Sequence, residues 1–150
     1  QKPIIVIGHS LGGAVATLLA AKLHLEKYDT TLFTFGSPPV GNHTFAQYIT
    51  QLPSYRYVHQ YDLIPTLKKD NVQLFKKLIQ KAKEWSNNEI FNDVSTLTQS
   101  VSYQFVHHNK AITLYSPVQF PSHMQQADIL TKMALTPLYS HFMNTYIAGL

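Results

Sequence analysis

The sequence predicts an α/β fold, a mostly parallel sheet with flanking helices. Two observations carry the prediction. Runs of strand and helix character alternate from the first residues, and the first run is a short, continuous β-branched stretch of the kind found in buried parallel strands. A third observation says what the sheet is for: that stretch leads directly into Gly8-His9-Ser10-Leu11-Gly12, a glycine-flanked serine between a strand and a helix.

The first strand is Ile4-Ile5-Val6-Ile7, bounded by Pro3 and Gly8. Its unbroken apolar character calls for burial on both faces. Ala14 to Leu25 follows as a helix, with Val15, Leu18, Leu19 and Leu23 among many alanines. Thr31 to Phe35 is the next strand, ended by Gly36-Ser37-Pro38-Pro39. A short helix runs from about Asn42 to Gln51 and Pro53 ends it, after which Tyr55 to His59 forms a third strand with Asp62 close behind. Strand, helix, strand, helix, strand implies right-handed parallel crossovers. Asn71 to Trp85 has helical spacing, and Ser86 to Ser100 is polar and reads as a loop. Tyr103 to Tyr115 reads as a strand or as a hairpin turning near Asn109-Lys110. Met124 to Leu135 reads as a helix, and Pro137 precedes a last short helix carrying His141.

The chain has 150 residues, of which 45% are hydrophobic and 13% charged, the balance of one core-rich globular domain. It has no cysteine, which excludes disulfides, thiolate metal sites and a cysteine nucleophile. No apolar run reaches the ~18 residues of a membrane-spanning helix. The net charge is +4, and six of the twelve Lys and Arg residues fall between Lys68 and Lys83. There is no broad basic face and no aromatic-basic interleaving, so nucleic acid is not an expected partner. Lys68, Lys69, Lys76, Lys77, Lys81 and Lys83 surround an apolar stripe ending in Trp85. Such a helix can rest on an anionic lipid surface, although an ordinary surface helix has the same pattern. The opening Gln1-Lys2-Pro3 has no initiating Met or leader and runs straight into a strand. We therefore expect residues 1–150 to be one fragment of a larger domain whose earlier strands lie upstream. The sequence carries no signal for compartment or oligomeric state.

The G-x-S-x-G segment is the pattern of a nucleophile elbow on an α/β-hydrolase sheet. Ser10 sits on a sharp strand-to-helix turn, which exposes its hydroxyl. Gly8 and Gly12 are small enough for strand and helix to approach closely, and Gly13 and Ala14 are also small. The helix start aims N–H groups at the reacting carbonyl, Leu11 being the expected oxyanion donor. A serine nucleophile also needs a base and a carboxylate to orient it, in the chain order Ser, Asp or Glu, His. Of Asp29, Asp62, Asp70, Asp93 and Asp128, only Asp62 directly follows a sheet strand. The candidate bases after it are His107, His108, His123 and His141. His107 and His108 lie in a strand pattern, so His123 and His141 are left open by spacing alone.

Three segments together resemble the class 3 lipases: Ile5 to Ala14 around the elbow, Phe33-Thr34-Phe35-Gly36-Ser37-Pro38-Pro39-Val40-Gly41-Asn42, and Asp62-Leu63-Ile64-Pro65. Tyr103 to His107 also resembles the family's strand after the acid loop. The resemblance implies Ser10 as nucleophile, Asp62 as acid and His141 as base. The family's histidine stands near the C-terminus with an aromatic residue soon after, as His141 does with Phe142 and Tyr146. It further implies ester hydrolysis on lipid substrates, with no metal and no cofactor, and a lid and second oxyanion donor from upstream chain. Two positions depart from the family pattern: Pro39 where it has Arg, and His59 where it has Asn. Phospholipase or short-ester chemistry would use the same triad. A hydrolase-derived binding domain without catalysis is the reading from another class, and the intact Ser10, Asp62 and His141 argue against it.

Overall fold

The computed structural model describes residues 2–66, 105–120 and 129–150, together with residues 80, 122 and 125. Strand β1 (Ile4–His9) turns into helix α1 (Leu11–Leu25), and β2 (Thr30–Phe35) leads to α2 (His43–Ile49). Strand β3 (Ser54–His59) ends in a loop with a single 3₁₀ turn, Ile64–Thr66. Strand β4 (Ile112–Leu114) is followed by α3 (Ile129–Tyr139) and α4 (Met143–Ala148). The strands form one sheet in the order β1-β2-β3-β4, and every pairing is parallel. All strands therefore end on the same side, where loop residues converge.

Alternation along the strands separates two faces. Val6 and Leu32 pack with Ala16, Ala20, Ala21, Ile49 and Leu52, the core between the sheet and helices α1 and α2. The opposite face is aromatic. Phe33 stacks on Tyr55 and Phe35 on Tyr57, with ring centroids 5.0 and 5.1 Å apart. Phe35 and Leu114 pack against Tyr146 of α4 on that side. Helix α2 starts at Asn42, whose side chain accepts the Phe45 N–H at 3.0 Å, a normal N-cap.

Four expectations need correcting. First, β1 is not covered on both faces: it forms an edge of the sheet, and Ile5 and Ile7 are 62% and 63% exposed among the described residues. Second, the closely packed glycines of the elbow are Gly8 and Gly13, not Gly8 and Gly12. A Cβ on Gly8 would stand 2.2 Å from the Gly12 carbonyl oxygen, and one on Gly13 would stand 2.7 Å from Ser37 Cβ; a Cβ on Gly12 would meet nothing within 4 Å.

Third, residues 105–115 form neither one strand nor a hairpin. Val106 makes a lone antiparallel bridge to Gly41, the chain turns at Asn109 with a positive φ, and β4 pairs in parallel with β3. Fourth, Pro137 lies inside α3, and the last short helix, α4, does not carry His141. Proline lacks only its own N–H, and its neighbours keep the turn: the Ser140 N–H donates to the Thr136 carbonyl at 2.9 Å. His141 accordingly sits in the turn between α3 and α4, not on a helix. The expected helix at 71–85, with its basic stripe, and the loop at 86–100 lie outside the described residues, apart from residue 80.

Candidate active site

The site is assembled at the C-terminal ends of β1, β2 and β3. Ser10 lies between β1 and α1 with φ 57° and ψ −129°. That is a left-handed value no β-strand or helix residue adopts, and it costs on the order of 1–3 kcal/mol. The turn is held by the Ser10 N–H, which donates to the Phe35 carbonyl at 2.9 Å, while the Ser10 carbonyl accepts from Gly13 and Ala14. The N–H groups of Leu11 and Gly12, the first of α1, have no acceptor within the helix.

Ser10 Oγ donates to His141 Nε2 at 2.6 Å, and His141 Nδ1–H donates to Asp62 Oδ2 at 2.8 Å. His141 and Asp62 are 2% and 3% exposed, so the pair is shielded from water. Asp62 Oδ1 accepts the Ile64 N–H at 2.9 Å, and its Oδ2 also accepts the Tyr146 hydroxyl at 2.5 Å. A carboxylate with these three donors is held in one orientation.

Gly36, at the end of β2, lies directly beneath these groups. Its φ is +58°, and a Cβ there would stand 2.7 Å from Asp62 Oδ2, 2.9 Å from the Tyr146 hydroxyl and 3.1 Å from His141 Cε1. Only glycine meets both conditions. His9 adds a contact from the other side, its Nε2–H donating to the His141 carbonyl at 2.6 Å. Burial, then the charge of His141, push the His9 pKa below the ordinary histidine value.

Of the other candidates, Asp29 is exposed at the opposite end of the sheet, just before β2. His107 Nε2–H donates to the Pro65 carbonyl, and His108 is buried elsewhere. Asp70, Asp93, Asp128 and His123 lie outside the described residues. Tyr146 and Gly36 were not singled out from the sequence as parts of the site. The motif Phe35-Gly36-Ser37 was the available signal for Gly36; for Tyr146 only its position after His141 pointed there. His59, at the position where the family has Asn, is fully buried, and its Nε2–H donates to the Ser116 carbonyl at 2.9 Å. Among the described residues, no group of histidines and carboxylates is arranged to hold a metal ion.

The parallel sheet, the strained serine turn and the helix behind it define the architecture as that of the α/β-hydrolases. A solved structure of MDLA from Penicillium cyclopium has the same fold, with a TM-score of 0.53 at 24% identity over 99% of this chain and 46% of that one. Another lipase crystal structure aligns with a TM-score of 0.58 at 19% identity, covering 96% of this chain and 44% of that one.

The sequence model of the class 3 lipase family matches residues 1–72. A secreted mono- and diacylglycerol lipase of Fusarium solani is 49% identical over 65 residues, covering 42% of this chain. Lipase A of the same description from Penicillium cyclopium is 46% identical over 66 residues, covering 43% of this chain. These alignments span 20% and 22% of the lengths of those two relatives.

Proposed function

We propose that this chain carries the catalytic triad of a serine lipase or esterase that hydrolyses carboxylic esters of lipids. The observation that supports it is the continuous hydrogen-bond line from Ser10 Oγ through His141 to Asp62. In this reading His141 Nε2 takes the Ser10 proton as Oγ attacks the ester carbonyl. Asp62 holds the His141 tautomer with Nδ1 protonated and stabilises the imidazolium that forms. The oxyanion rests on the Leu11 N–H at the start of α1. The alcohol leaves with the proton from His141, and water then releases the acid from Ser10 by the same route. No metal or redox group is called for.

Residues 1–150 are, in this proposal, the C-terminal part of one hydrolase domain, and a second oxyanion donor comes from elsewhere in the full-length protein. The open face of β1 and the exposed Leu11, Val15, Leu18 and Leu19 of α1 support a further layer packed there. The class of substrate follows the two relatives described above, both mono- and diacylglycerol lipases.

The test is fluorophosphonate labelling and ester hydrolysis by the full-length protein and its Ser10→Ala variant. Loss of both activities in the variant is expected. Stoichiometric labelling that survives in Ser10→Ala would place the nucleophile at another residue. Long-chain emulsions, phospholipid vesicles and short soluble esters, compared side by side, assign the substrate class.

A further inference from the structure

His141 is gripped at two points by two consecutive residues. Ser10 Oγ bonds its ring at Nε2, and His9 Nε2–H bonds its main-chain carbonyl, both at 2.6 Å. We infer that His9 is a positioning residue that ties the base-bearing turn to the nucleophile elbow, so that the Ser10–His141 distance is set by the main chain as well as by the side chains. The inference rests on the reading of Ser10 and His141 as nucleophile and base.

The placement follows from β1. In the strand register His9 faces Phe35, on the aromatic side of the sheet where α4 packs. Ser10, one residue on, leaves the strand at the strained turn. The dipeptide therefore presents a donor for a carbonyl and a hydroxyl for a ring nitrogen in the same direction. His141 needs such support because it lies in a short turn between two helices and reaches across 131 residues of sequence to Ser10. Its ring is bonded at both nitrogens, but those bonds constrain the end of a side chain, not the carbonyl behind it.

Histidine suits position 9 for two reasons. A carbonyl only accepts, so the proton in this bond sits on Nε2 of the His9 ring. Burial and the neighbouring His141 both oppose a second proton on it. A neutral ring matters because its centroid is 4.9 Å from that of His141, where positive charge develops as Ser10 is deprotonated. The same ring meets Tyr146 edge-on at 5.7 Å, and Tyr146 holds Asp62. His9 thus touches the base at its backbone and its ring, and touches the group that fixes the acid.

The experiment compares the full-length protein with His9→Phe, His9→Gln and His9→Asn. Phenylalanine keeps a ring and loses the donor. A glutamine amide reaches about as far as Nε2, and an asparagine amide falls short. Two quantities are read: the rate of Ser10 labelling by a fluorophosphonate, and the low-field proton resonance of His141 Nδ1–H. We expect His9→Phe and His9→Asn to label at least about tenfold more slowly, as small misplacements of reacting groups do. Their low-field resonance should shift or broaden, and His9→Gln should recover most of the rate. Unaltered labelling and an unaltered resonance in His9→Phe would overturn the tether. If His9→Phe does not fold, equal rates in His9→Gln and His9→Asn overturn it equally. Failure of the functional reading looks different: the unaltered protein would show the low-field proton and no Ser10 labelling.

Discussion

The Tyr146 hydroxyl stands 2.5 Å from Asp62 Oδ2 and accepts the His59 N–H at 3.0 Å, tying α4 to the end of β3. Both capacities of a fully buried hydroxyl are used. Burial and the adjacent Asp62 carboxylate push the Tyr146 pKa far above the ordinary phenol value, so it remains a donor at any working pH.

Tyr146→Phe removes that donor and leaves the His59 N–H without its acceptor. A buried unpaired group costs about 1–3 kcal/mol. We expect a loss of this size in urea denaturation, together with labelling of Ser10 slowed by about tenfold, the effect of losing one hydrogen bond to a charged group. A variant as stable as the parent would show that water replaces the hydroxyl without cost.

Gly36→Ala puts a methyl group 2.7 Å from Asp62 Oδ2 at a residue with φ +58°. Backbone strain and displacement of the carboxylate act together. The expected result is a stability loss of about 1–3 kcal/mol and a larger proportional loss of activity. Thermal denaturation and hydrolysis rate, measured on the same preparation, check both parts.

Asp62→Asn keeps the shape of the acid and offers His141 Nδ1 an amide in place of a carboxylate. The ring then loses the tautomer with a bare Nε2, and kcat should fall by about 10⁴. Ester hydrolysis at saturating substrate is the measurement; a decrease of only a few-fold would make another carboxylate the acid.

His108 gives a pH signature independent of catalysis. It is buried near Arg56, and burial, with a smaller contribution from that guanidinium, lowers its pKa from 6.5 to about 4. The folded state therefore favours the neutral ring, while the unfolded chain takes up a proton as pH falls through 6.5. The contribution is fully present above about pH 6.5 and is lost progressively down to about pH 4, with an upper bound of about 3 kcal/mol. His108→Gln should flatten the stability–pH curve over that window relative to the parent. Parallel curves from denaturation at several pH values would count against a neutral buried His108.

Much of the first half of the fold is legible because its signals are local. The β-branched run of β1, the alanine-rich α1 and the aromatic-bearing strands β2 and β3 each need only a few residues to declare themselves. Asp62 stands out because it directly follows a strand. The distinctions that sequence could not make depend on neighbours in space. Gly8, Gly12 and Gly13 look alike until the approach of Ser37 to α1 separates them. A β-branched run says that a strand wants cover, not whether cover is present, which is why Ile5 and Ile7 differ from expectation. Pro137 signals a helix end by its missing donor, yet near the end of α3 that loss is small. Tyr146 is one of nine tyrosines, and only the closeness of α4 to β3 gives it a role.

The two bonds that define the site join residues 131 and 79 positions apart in the chain. Closure of such long loops comes late when a polypeptide folds, after local strands and helices have formed. A refolding chain will therefore regain circular dichroism before it regains a reactive Ser10, and the lag between the two is a direct clock for the docking of the C-terminal turn onto the sheet.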